Sequence, residues 1–154
     1  MESTQPITLL EVDPRTIPVR FSTKIVVVLR DDLEAWQRVN ATAFMISGIA
    51  AGTPETVGEP YEDGSANIYN PMFREPVYVY EATAAKLRRA FDRACQREVT
   101  VSLFTDELFT TGHDAANRAA VKAVAESDLS LVGIAFRADR KVADKVTDGL
   151  SFHR

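Results

Sequence analysis

Apolar and polar positions fall in blocks along this chain, and the period changes from block to block. Lys24 to Leu29 is β-branched and apolar at both parities. That is the pattern of a strand covered on both faces, as in a parallel sheet. Arg30-Asp31-Asp32 closes the run and a helix starts at once behind it. Asp31 or Asp32 suits its N-cap, with Glu34 in the first turn. On a helical wheel Trp36, Val39, Asn40, Ala43, Ser47 and Ala50 share the side expected to face the core. Glu34 and Arg38 lie opposite, and further along Met45 and Ile49 take that outer side. The second half of the helix is apolar all round, so residues 53–76 or a second subunit must cover it.

The later blocks alternate in the same way. Val77 to Tyr80 is a second strand. Ala82 to Gln96 is a helix with Leu87, Phe91, Ala94 and Cys95 inward and a basic stripe of Lys86, Arg89, Arg93 and Arg97 on the other side. Val99 to Phe104 is a third strand ending in Thr105-Asp106-Glu107. A helix begins between Thr110 and Asp114 and runs to about Glu126. Leu131 to Phe136 is a fourth strand, residues 139–149 are helical, and Leu150 to Phe152 closes the sheet. Residues 1–23, with three prolines and a short strand-like ITLLEV, form an N-terminal arm. A long connection at 53–76 carries four prolines, and Asp63-Gly64 signals a turn of a small hairpin there. Connections this long are often functional, and this one is expected to form a lid or a pocket wall. The alternation predicts a single α/β domain over 24–154. Its architecture is a three-layer α/β/α sandwich around a small mixed, mostly parallel sheet.

Composition narrows the setting. The 154 residues are 45% hydrophobic and 26% charged, ordinary for one globular domain. One cysteine, no basic-then-apolar leader and no long apolar run predict a cytoplasmic chain without a membrane partner. A net charge of −4 argues against nucleic acid as the default partner. Two histidines and one cysteine at no ligand spacing, with scattered glycines, predict neither a metal site, nor a cofactor, nor a phosphate loop.

Candidate chemistry gathers where open α/β sheets bind ligands, beyond the carboxyl ends of strands. Arg30 and Asp32 end one strand and Asp106 another. If those strands are neighbours, the carboxylates share an edge and can hold a cation or share a proton. Capping alone also explains an aspartate before a helix. Asn40 and Asn117 each sit on an apolar helical stripe, and His113 extends the second stripe by one turn. Polar groups on buried faces need partners, either each other, the backbone or a ligand. Arg30, Asp32, Asn40, His113 and Asn117 are therefore the candidate ligand-binding set, for an unidentified small polar molecule. Asp114 can pair with His113 or, at i+4, with Arg118.

The order of segments resembles the type II peptidyl-tRNA hydrolase fold. It resembles more closely a bacterial family known as domain of unknown function 2000, grouped with that fold. The resemblance rests on KIVVVLRDDL, PVYVYEATAAKLRRAFDRACQREVTVSLFTDE and LVGIAFRADRKVADKVTDGLSF, with ATAFMISGIAAGTPE, GEPYEDG, NPMFREP and TTGHDAANRAAV. The hydrolases' Arg-(Thr/Asp)-Asp-Leu turn is matched by Arg30, Asp31, Asp32 and Leu33. Their aspartate with a threonine four residues on is matched by Asp106 and Thr110, which the resemblance makes catalytic candidates. Their closing Val-Thr and leucine are matched by Val146, Thr147 and Leu150. The hydrolase lysine has its place at Val39 or Asn40 and the histidine at Ile46 or Ser47, and neither is retained. Three functions compete on this reading: small-ligand binding, hydrolysis of peptidyl-tRNA or a related ester, and a non-catalytic dimeric module joined through the first helix by Met45 and Ile49.

Overall fold

A computed structural model describes residues 12–154, so the ITLLEV segment lies outside the described residues apart from Val12. Five strands form one mixed sheet in the order β5-β6-β1-β4-β7. They are β1 (Thr23–Arg30), β4 (Val77–Ala82), β5 (Ser102–Thr105), β6 (Leu131–Asp139) and β7 (Ser151–Phe152). β2 (Tyr61–Glu62) and β3 (Ile68–Tyr69) make a separate two-stranded hairpin. The helices are α1 (Ala35–Gly52), α2 (Ala84–Gln96), α3 (Asp114–Lys122) and α4 (Arg140–Val146). Among the described residues no helix is long and apolar enough to cross a membrane.

The layers follow from the alternation of side chains along β1. Val26 and Val28 face Leu87, Ala90, Phe91 and Ala94 of α2 and Ala143 and Val146 of α4. Ile25, Val27 and Leu29 face Ala41, Met45 and Ile49 of α1. All of these side chains are essentially out of water, a gain of roughly 1.5–3 kcal/mol for each Val, Ile, Leu, Met and Phe and less for the alanines.

The expectation of a mostly parallel sheet is corrected. Among the described residues only β1 and β4 pair in parallel, while β6 pairs antiparallel with both β1 and β5, and β7 antiparallel with β4. The cause of the misreading is β6. It lies between two strands and under helices on both faces, so its apolar run looks like that of a parallel central strand. Even so, β1, β4 and β5 run in one direction, and their carboxyl ends share one sheet edge.

The orientation of α1 is also corrected. Met45 and Ile49 are buried on the sheet, whereas Trp36, Val39 and Phe44 are more than half exposed and Asn40 is exposed. The inward and outward sides are therefore the reverse of those expected. Gly133 of β6 confirms the packing, since a Cβ there would lie 2.9 Å from the Met45 Cε and 2.8 Å from the Val28 carbonyl oxygen. The cap of α1 is Glu34 rather than an aspartate, and its backbone N–H donates to Gln37 Oε1 at 2.9 Å. Cys95, expected inward, is exposed at the end of α2. β5 is shorter than its apolar run, and α3 stops before the expected end because a 3₁₀ turn takes over at Glu126–Asp128.

Candidate functional site

The strand edge that carries Arg30 is built as a clamp. Arg30 Nη1 and Nη2 donate to the two oxygens of Asp106 at 2.9 and 2.8 Å. Nη1 also donates to the Leu131 carbonyl at 3.0 Å, and Nε donates to Asp32 at 2.5 Å. Ser130 Oγ donates to Asp106 as well. β1 and β5 are not neighbours, because β6 runs between them. The guanidinium spans from β1 over the start of β6 to reach Asp106. The two carboxylates therefore meet a cation that the chain supplies itself. Bidentate bonding by Arg30, helped by Ser130, holds the Asp106 carboxyl below the ordinary carboxylate range, and the same contact raises Arg30. With both oxygens engaged and its basicity lowered, Asp106 is poorly placed to take a proton.

The other expected members serve the loop and helix that follow β5. Thr110 Oγ1 donates to the Glu107 carbonyl at 3.0 Å, closing the 3₁₀ turn Asp106–Phe109. His113 is the N-cap of α3, its Nδ1 accepting from the Ala116 N–H at 3.3 Å. Asp114 pairs with Arg118 at 2.8 Å, the i+4 alternative to a His113 pair. Asn117 lies on the half-buried stripe of α3, where its Oδ1 accepts from Thr111 Oγ1. His113 and Asn117 thus hold the start of α3, while Arg30, Asp32 and Asp106 come together at the clamp.

Asn40 has a different setting from the one expected. Trp36, Asn40 and Phe44 are four residues apart, so they share one stripe of α1. Beside that stripe runs a ladder of rings. Trp36 meets Phe109 edge-on at 5.4 Å, Phe109 meets Phe104 at 4.9 Å, and Phe104 meets Phe44 edge-on at 6.0 Å. The Trp36 indole N–H is fixed by Glu34 Oε2 at 2.9 Å. Asn40 is the amide left exposed between the two outer aromatic residues of the stripe. The ladder is hidden in the sequence because the helical wheel turns Trp36 inward and Phe44 falls within the apolar second half of the helix. The spacing Trp36-Asn40-Phe44 was the available signal.

A further polar knot was unforeseen. The backbone N–H of His153 donates to the Val79 carbonyl at 2.9 Å. Its Nε2 lies 2.8 Å from Arg38 Nη1, and arginine being a donor only, the imidazole accepts. Arg38 also donates to Glu81 at 3.4 Å, to the Leu33 carbonyl at 3.0 Å and to the Asp31 carbonyl at 2.9 Å. Below this knot a groove of about 540 Å³ runs between α1 and β4. Among the described residues no three His, Cys, Asp or Glu side chains converge to hold a metal ion.

A three-layer α/β domain with an arginine–aspartate clamp on one sheet edge defines the class. Residues 23–154 match the family described as "Protein of unknown function (DUF2000)", and the chain belongs to that family. The solved structure of a protein of unknown function from Agrobacterium tumefaciens strain C58 is similar to it. The two are 47% identical with a TM-score of 0.85, over 88% of this chain and 100% of that one. The search of curated proteins finds no match.

Proposed function

We propose that this chain binds a small molecule bearing a flat heteroaromatic ring with an amide-type edge, on the surface formed by Trp36, Asn40 and Phe44. The observation that carries the reading is the ring ladder beside an exposed amide that has no hydrogen-bond partner among the described residues. Aromatic faces stack on ring systems with little demand on their identity, and each such contact is worth about 1–3 kcal/mol. One amide supplies a donor and an acceptor side by side, which matches a ring edge carrying the complementary pair. The Arg30–Asp106 clamp has a supporting part, fixing the 106–109 turn that delivers Phe109 to the ladder.

Kinship of the scaffold with type II peptidyl-tRNA hydrolases belongs to the same proposal. It is supported by the Arg30–Leu33 turn and by Asp106 at the same sheet edge. Ester hydrolysis is not advanced, because Asp106 is occupied by Arg30 and Ser130, and Thr110 by its own turn.

A thermal-shift screen of nucleobases, nucleosides and other N-heteroaromatic compounds tests the reading. A compound at a hundredfold its dissociation constant adds about 2.7 kcal/mol of stability. Stabilisation should vanish in Asn40→Ala and weaken in Trp36→Ala. A screen with no hit, or a hit that stabilises Asn40→Ala as much as the parent chain, overturns it.

A further inference from the structure

The connection between α1 and β4 extends outward as an arm, and its root lines two small cavities. Its root is held firmly. Thr56 and Glu75 are buried, Glu75 accepts from Arg137 Nε and from Thr23 Oγ1 at 2.7 Å each, and Val57 bridges Phe73 in antiparallel fashion. The ladder continues outward through the Arg74 N–H to Thr56 carbonyl bond, the Gly58 N–H to Met72 carbonyl bond, and then β2 and β3. At the tip Asp63 accepts from the Ser65 and Asn67 backbone N–H groups, the Asn67 amide and the Tyr69 hydroxyl at 2.8–3.0 Å.

Every residue from Glu59 to Met72 is nevertheless exposed. Tyr61, Ile68, Tyr69 and Met72 are 50–65% exposed. Among the described residues nothing packs against this hairpin; a two-stranded hairpin alone is marginal in water, and a chain seldom shows water this much apolar side chain without a partner.

We infer that the 59–72 arm of one copy seats in the groove between α1 and β4 of a second copy, and that the exchange is reciprocal about a two-fold axis. Three observations converge on that occupant. The groove is walled by Val39, Thr42, Ala43, Ile46, Val77 and Val79, and Val39 stands 71% exposed, so it offers the apolar surface that the arm lacks. The arm carries Glu59, Glu62 and Asp63 and no basic residue, while the groove is lined by one cation, Arg38, which Glu81 meets at 3.4 Å and so offsets in part, and by the imidazole of His153. Area also fits. At roughly 200 Å² for a large side chain, the four arm residues expose on the order of 450 Å². Two arms on two grooves, counted from both sides, then bury on the order of 1,800 Å², within the range of stable two-fold interfaces. The contact surface expected of α1 thus moves from Met45 and Ile49, which are core, to Val39 and its neighbours.

Light scattering on the full chain, with Ile68→Lys, Val39→Glu and the double variant, tests this. The parent chain should run at twice its 17.0 kDa mass, and each single variant should dissociate at least tenfold more readily. Both positions are exposed, so far-ultraviolet circular dichroism should be unchanged. In the double variant the new glutamate meets the new lysine across the interface, and association should recover. A parent chain that stays monomeric at ~100 μM overturns the proposal. So does a dimer that either single variant leaves intact, and so does a double variant that recovers nothing.

Discussion

Replacing Arg30 by alanine tests the clamp most directly. Breaking a buried ion pair from one side costs roughly 3–5 kcal/mol, and losing an exposed one roughly 0–1. The Arg30 side chain is 15% exposed and that of Asp106 42%, so the pair falls between, at about 2 kcal/mol. The buried Leu131 loses a donor to its carbonyl, which adds about 1 kcal/mol. Asp32 is 63% exposed and adds little. Arg30→Ala should therefore destabilise by about 3 kcal/mol, a fall in Tm of ~6–12 °C for a chain of this size. The acid limb gives an independent check. Folding lowers the Asp106 carboxyl, so its contribution is complete above about pH 4 and disappears as pH falls through the lowered native value. Urea unfolding at neutral pH and down to pH 2.5 should show that loss in the parent chain and a flatter acid limb in Arg30→Ala. A double-mutant cycle with Asp106→Ala should return a coupling of about 1.5–2 kcal/mol. A loss under about 0.5 kcal/mol, or a coupling near zero, would refute the reasoning.

Gly133→Ala sets a Cβ 2.8 Å from the Val28 carbonyl oxygen and 3.1 Å from Leu29 Cδ2. It should cost roughly 1–3 kcal/mol by urea unfolding, and an unchanged midpoint would mean that α1 does not rest on the sheet through Met45. Asp63, held chiefly by the Asn67 amide and then the Tyr69 hydroxyl, should titrate by NMR at about 2. Tyr69→Phe should move that midpoint upward, and a parent-chain midpoint near the ordinary 3.9 contradicts the turn described for the arm. Cys95 should react with a thiol reagent in the native state. It should do so more slowly than free cysteine, because burial and the carboxylates of Glu126 and Asp92 push its thiol up, and protection until unfolding would return it to the core.

Much of the fold was legible because buried strands and amphipathic helices declare themselves. α2 shows a sharp contrast between Leu87-Ala90-Phe91-Ala94 and its basic side, and its buried residues are Leu87, Phe91 and Ala94 as expected, with Ala90 in place of Cys95. α1 shows no such contrast. With Val39, Phe44, Met45 and Ile49 spread around the wheel, nothing local decides which side meets the sheet, and tertiary packing chose the face with Ala41 and Met45. Strand direction was equally hidden, since β6 is buried on both faces whichever way it runs. Arg30 and Asp106 were singled out separately, but a contact across 76 positions is a property of topology. Asn40 differs from its expected setting, because it is exposed beside rings rather than buried among aliphatic residues.

The position of β6 has a consequence for how the chain reaches its native state. β6 is the strand that joins β5 to β1, and it comes after both in the sequence. While the polypeptide is being synthesised, β1 can pair with β4, but β5 has no edge to join until residues 131–139 leave the ribosome. The larger part of the sheet's long-range pairing is thus deferred to the end of translation, which makes for slow, non-local folding. A chain that stops short of residue 131 carries two open strand edges and an apolar α1 without its floor, a species prone to aggregate and to be degraded.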